Sequence, residues 1–215
     1  RESETRLQFT LPVDLLAREA TCGIQFGHVR RARHDNTSWD AARFEVCAHR
    51  YVHVSEPGCG VALMADGPRG YDVRGDSLRL TLLRSPSFPD PTSDRGSQEV
   101  EWSIRLDDGP GDMASIERIA ARQAQPLRWI ERPIVIEPPV SIDMPGVLIS
   151  AIKMAEDGSG DVIVRMWETR GSRASGRVDI GMRGSTHFSN GLEDLLDPVQ
   201  VTRDARGRNG LDVAL

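Results

Sequence analysis

The residues of this chain best suited to chemistry are carboxylates gathered in two loops. One reads Gly70-Tyr71-Asp72-Val73-Arg74-Gly75-Asp76, the other Pro86-Ser87-Phe88-Pro89-Asp90-Pro91-Thr92-Ser93-Asp94-Arg95-Gly96. Glycoside hydrolysis needs two carboxyl groups at a suitable separation, one protonating the leaving oxygen and one attacking or activating water. An aromatic ring with Asp and Arg beside it also suits a sugar, which offers apolar C–H faces and hydroxyls. The same Asp and Pro residues build turns without any ligand. His49 and His53 have the H-x3-H spacing that chelates a metal on a helix. In a strand pattern, four residues set the rings roughly 13 Å apart, too far for one ion, so two polar-face histidines are expected. No other His, Cys or Asp grouping has zinc-site spacing. There is no G-x-S-x-G, and a phosphate-cradling loop is not expected.

The elements that must carry these loops read as strands. Leu7, Phe9, Leu11 and Val13 alternate with polar or turn residues, as do Val100, Trp102, Ile104 and Leu106. Phe44, Val46, Ala48, Val52 and Val54 form a further series, interrupted at Arg50, and Leu78, Leu80 and Leu82 another. Val147–Lys153, Val162–Trp167 and Val178–Met182 are β-branched-rich and separated by Gly, Ser and Asp clusters. Period-two alternation at short spacing, punctuated by 20 Gly and 13 Pro, predicts a mainly β protein, a large antiparallel sandwich. One short helix is expected near 112–124, capped by Asp112, with Met113, Ile116 and Ala120 on one face and Pro126 beyond its end. Arg132–Pro145, with four prolines, reads as an extended crossover. The chain forms one unit, 1–215, or subdivides into 1–106 and 132–215.

Composition narrows the function. The chain has 215 residues, with 27 Lys+Arg against 32 Asp+Glu and a net charge of −5, which argues against nucleic acid and anionic membranes. No apolar run approaches the 18 or so residues that span a bilayer. Lys153 is the only lysine, a bias that fits a GC-rich genome. Three cysteines, Cys22, Cys47 and Cys59, show no C-x-x-C spacing, and a cytoplasmic, reducing compartment is expected. The opening Arg1-Glu2-Ser3-Glu4, without Met, reads as a cut inside a longer protein.

Several runs, in order, carry a family resemblance. They are Phe26-Gly27-His28-Val29-Arg30-Arg31, Asn36-Thr37-Ser38-Trp39-Asp40-Ala41-Ala42-Arg43-Phe44-Glu45-Val46, Ala48-His49-Arg50-Tyr51, Ser55-Glu56-Pro57-Gly58 and Gly70-Tyr71-Asp72. Leu80–Pro91, Asp94-Arg95-Gly96, Leu148–Lys153 and Ser159-Gly160-Asp161 continue the series. Together they resemble the C-terminal half of family 38 glycoside hydrolases, the α-mannosidases, especially bacterial and cytosolic-type members. The similarity is strong over about 26–106, fair over 147–170 and weak elsewhere. Leu211–Leu215 resembles the start of a last strand that family members continue. Cys59 replaces a usual aromatic, Arg33 a usual proline or threonine, and Gly67-Pro68-Arg69 a small-polar-aromatic sequence.

The resemblance implies a super-sandwich of the galactose-mutarotase-like type. It implies that the zinc ion, the nucleophile and the acid/base of retaining hydrolysis belong to an α/β barrel absent from this chain. No catalytic residue, metal ligand or cofactor is then expected here. Loops of the β region are expected to pack against that barrel and help close the sugar site, which marks Tyr71, Asp72, Asp90, Asp94 and Arg95 as candidate contacts to α-mannoside or barrel. A face made for a barrel would be left bare in this chain, and such apolar area can pair with another copy as a homo-oligomer. Two other readings compete. One is a stand-alone carbohydrate-binding or interaction module; the other is an independent hydrolase using Asp72 and Asp94.

Overall fold

The computed structural model describes residues 4–125, 127, 129–131, 137–203 and 209–215. The backbone divides into two compact units, Arg1–Leu127 and Arg128–Leu215. In the first, β1 (Leu7–Pro12), β2 (Glu19–Ile24) and β3 (Gly27–Ala32) lead into a short helix, α1 (Ser38–Ala42). Then follow β4 (Val46–Cys47), β5 (Tyr51–Glu56), β6 (Cys59–Asp66), β7 (Gly70–Asp72), β8 (Ser77–Leu83), β9 (Glu101–Asp107) and helix α2 (Met113–Gln123). The strands make two antiparallel sheets, ordered β1-β8-β7-β4 and β3-β2-β5-β6-β9.

The alternation read from sequence places apolar side chains of both sheets in one core. Phe9, Leu11, Leu78 and Leu80 come from the first sheet, and Cys22, Val52, Val54, Val61 and Leu63 from the second. This is the expected antiparallel sandwich. Strands β5 and β6, however, are buried on both faces: Tyr51, Val52, His53 and Val54 are all buried, as are Val61 through Ala65. Helix α2 covers the second face, packing Ile116 and Ala120 onto Tyr51, Ala62 and Met64, with Met113 at the margin. The helix therefore presents the predicted face. Asp112 stands at its N-cap and accepts from Ile116 N through its carbonyl (3.0 Å), with no side-chain cap bond.

Polar pairs fix the helix in register. Arg50 Nη1 meets Glu117 Oε1 at 3.1 Å, Arg105 Nη1 donates to Ser115 Oγ at 2.9 Å, and Ser103 Oγ donates to Gln123 Oε1 at 2.6 Å. Burial pushes the Glu117 carboxyl upward, and the charge of Arg50 pulls it back in part. His53 corrects the expectation of a polar-face histidine. It is buried, with Nε2 3.2 Å from Asp107 Oδ2, because α2 removes that face from solvent. His49 lies outside β5 and anchors its turn through the backbone, donating to Gly23 O at 2.7 Å.

The second unit holds β10 (Val140–Asp143), β11 (Val147–Met154), β12 (Val162–Glu168), β13 (Ser175–Ile180), β14 (His187–Ser189), β15 (Leu195–Pro198), β16 (Thr202–Arg203) and β17 (Asn209–Ala214). Its sheets are ordered β10-β13-β17-β16, β11-β12 and β14-β15. Val140, Met144, Val147, Val178, Leu211 and Val213 form its core. Glu193 ties the β14–β15 hairpin to the β11–β12 hairpin. It takes an ion pair from Lys153 (2.8 Å), another from Arg165 (3.1 Å), and the Glu156 amide (2.9 Å). The expected crossover over 132–145 is corrected in part: Val140–Asp143 is a strand paired with β13, while 132–136 and Pro126 lie outside the described residues.

The packing of α2 gives a direct test. Ile116→Ala should cost about 2–4 kcal/mol by chemical denaturation, because a fully buried branched side chain leaves a cavity. Arg118→Ala on the exposed face should stay within about 0.5 kcal/mol.

Candidate functional site

The loop after β8 is held by side chains that bond to backbone. Asp94 Oδ2 accepts from the amides of Arg84 (2.7 Å) and Ser85 (2.8 Å), pinning the far end of the loop to its start. Those two amides hold the Asp94 carboxyl below the usual range. Asp90 closes an Asx turn, accepting from Thr92 N (2.8 Å) and Thr92 Oγ1 (2.6 Å), which likewise lowers it. The Ser87 amide and hydroxyl both donate to Glu4 Oε1, and Glu4 N donates to Ser85 O at 2.8 Å. Arg95 is exposed and secures the turn through its amide, which donates to Thr92 O at 3.0 Å. A tethered loop results, and Phe88 stands 85% exposed upon it.

The other loop is mostly strand. Tyr71 lies in β7 opposite Leu80, and its ring is fully buried in the sandwich core. It presents no stacking face, and its buried hydroxyl finds no hydrogen-bond partner among the described residues. Asp72 sits opposite Arg79. Its Oδ1 accepts from Arg74 N and Nε, both at 3.1 Å, and its Oδ2 from Arg74 Nη2 (3.2 Å) and Arg79 Nη1 (2.9 Å). Burial alone would raise this carboxyl; the hydrogen bonds and charges of the two arginines outweigh it and hold the group low.

The register decides whether Asp72 and Asp94 can act as a pair. Asp72 is opposite Arg79, whereas Asp94 binds the amides of Arg84 and Ser85 beyond the other end of β8. Five strand residues separate these points by about 16 Å. Two-carboxylate hydrolysis uses separations of about 5 to 10 Å. Both groups are moreover held as anions, so neither is an acid ready to protonate a leaving group.

Sequence reasoning named Asp90, Asp94 and Arg95 but passed over Phe88. It also passed over Trp39, which is 77% exposed on α1. That helix buries none of its residues and starts with a capping box between Thr37 and Asp40. Exposure of a large ring on a short, well-capped element was the available signal, and only the structure supplies exposure. Among the described residues, no group of three His, Cys, Asp or Glu side chains could hold a metal, so these residues do not fit a zinc site.

Residues 1–92 match the model of the glycosyl hydrolases family 38 C-terminal domain. The chain is 36% identical to human alpha-mannosidase 2C1 over 177 residues, covering 80% of this chain and 17% of that protein. It is 41% identical to the Saccharomyces cerevisiae alpha-mannosidase over 98 residues, covering 46% of this chain and 9% of that one. An alpha-mannosidase crystal structure from Enterococcus faecalis superposes with a TM-score of 0.76 at 17% identity, over 96% of this chain and 25% of the other. The chain thus spans only a small part of the proteins it matches.

The Asp94 clamp should be visible by pH. Its folded pKa lies below the ordinary aspartate value of about 3.9. The stabilisation is therefore complete above that value and lost as pH falls through the lower folded one. The amide proton resonances of Arg84 and Ser85 should hold their positions on acidification to about pH 4 and move only below it. Asp94→Asn should abolish that movement.

Proposed function

Because this chain belongs to the C-terminal region of glycosyl hydrolase family 38, we propose that it is the β-sandwich portion of a longer retaining α-mannosidase. Its work there is to support a catalytic barrel and to lend the 84–96 loop to one wall of the sugar cleft. The observation that carries this reading is the loop itself. Its backbone is clamped at both ends by Asp94 and Glu4, while Phe88, Asp90 and Arg95 remain exposed upon it. A ring, a carboxylate and a guanidinium on a fixed frame suit a pyranose, with the ring stacking on C–H faces and the charges bonding hydroxyls. Asp72 and buried Tyr71 act from behind, fixing β7 against β8. Zinc, the nucleophile and the acid/base fall to the barrel. The three free cysteines favour a reducing, cytoplasmic setting for the whole enzyme.

The 215-residue chain alone should not hydrolyse an aryl α-mannoside, with or without zinc. A polypeptide extended to the length of the relatives should do so, and Phe88→Ala in it should lower kcat/KM by about tenfold, the value of one aromatic contact. Hydrolysis by the short chain that disappears in Asp94→Asn would overturn the scaffold reading. Saturable mannoside binding by the short chain, with an inactive extended polypeptide, would favour a stand-alone carbohydrate-binding module.

A further inference from the structure

One end of the first unit contains an open cavity of about 700 Å³ that the sugar-cleft reading does not use. Its lining combines apolar Leu15, Leu16 and Ala17 with Arg18, Arg33, His34 and Asn36, and Gly75 completes it. Three basic side chains line it and no carboxylate does, in a chain whose net charge is −5. Arg33 is 5% exposed and lies in no ion pair among the described residues. Its Nε donates to Val73 O (2.8 Å), Nη1 to Leu15 O (3.1 Å) and Ala17 O (3.3 Å), and Nη2 to Gly75 O (2.6 Å).

Carbonyls satisfy the geometry of a guanidinium but not its charge. Burial pushes Arg33 below its ordinary pKa, with the charge of Asp76 acting against that, yet an arginine stays protonated. A guanidinium has five N–H donors, and carbonyls among the described residues engage four of them, which leaves one. The lining of the cavity therefore includes a buried positive charge with one donor not taken by these carbonyls. Arg18 adds charge, Asn36 adds an amide, and His34 adds an imidazole whose Nδ1 lies 3.6 Å from Asp40 Oδ2. Leu15, Leu16 and Ala17, also in the lining, are apolar in their side chains.

We propose that this cavity binds a small oxyanion carried on a sugar-sized body, a phosphorylated or carboxylated saccharide. The anion would meet Arg33, Arg18 and His34, and the body would lie against Leu15–Ala17. Inorganic phosphate shares the chemistry of the head group, so a comparison separates the two sources.

The experiment is calorimetric titration of the 215-residue chain with mannose 6-phosphate, glucuronate, inorganic phosphate and mannose, at low and at 0.5 M salt. Saturable binding of mannose 6-phosphate or glucuronate is expected, tighter than that of phosphate and absent for mannose. Arg18→Gln, at the exposed rim, should weaken it about tenfold, the worth of one charge-assisted bond. High salt should weaken it too, since the site is open to screening. Arg18→Gln should keep the unfolding midpoint of the parent chain, which separates lost binding from lost folding. Equal binding of mannose, no binding of either anionic sugar, or an unchanged affinity in Arg18→Gln would each overturn the proposal. Failure to bind an anionic sugar leaves the sugar-cleft reading standing, because that reading is tested by hydrolysis and this one by anion binding.

Discussion

The loops at one end of the first unit depend on a single side chain. Arg33 follows β3 directly, and from there its guanidinium holds carbonyls of Leu15 and Ala17 on one segment and of Val73 and Gly75 on another. Two further backbone bonds complete the joint, from Arg33 N to Arg18 O (3.0 Å) and from Gly75 N to Arg33 O (3.3 Å). None of these segments is strand where it is held. Without the arginine, four carbonyls would need water or a new fold of two loops. A planar fork with five donors is the one side chain that can span them, which lysine cannot do.

The same device recurs elsewhere in the unit. Asp94 reaches two amides across the 84–96 loop, Glu4 holds Ser87, and Thr37 and Asp40 cap α1. Charged or polar side chains bonded to backbone thus shape the parts that face outward, while apolar packing shapes the sheets. Strands β5 and β6 supply the rigid centre, since the sandwich core covers one face and α2 covers the other. Tethered loops on such a frame can present exposed rings and charges in fixed positions, which is what a contributing wall of a larger site requires.

Much of this was legible in the sequence. The alternation at Leu7–Val13 and Leu78–Leu82 predicts strands with one buried face, because each residue's face is set by its immediate neighbours. The helix face Met113, Ile116 and Ala120 was legible for the same reason. Val100–Leu106, by contrast, is a strand whose Ile104 and Leu106 stay exposed because its other face meets α2. What could not be read depended on distant partners. Gly70-Tyr71-Asp72 has turn composition, yet pairing with β8 makes it a strand and turns Tyr71 inward. His53 looks solvent-facing until α2, some sixty residues later, covers it. The separation of Asp72 from Asp94 follows from the register of β7 on β8, which no local pattern specifies. Arg33 reads as one more member of an Arg-rich run, and its role appears only when residues 15 and 73 arrive beside it.

The dependence of this end of the molecule on one guanidinium is open to a direct measurement, the unfolding free energy of Arg33→Lys by chemical denaturation. Lysine keeps the charge and the length but cannot span the four carbonyls, so a loss of about 2–4 kcal/mol is predicted. Full parental stability in Arg33→Lys would contradict the account.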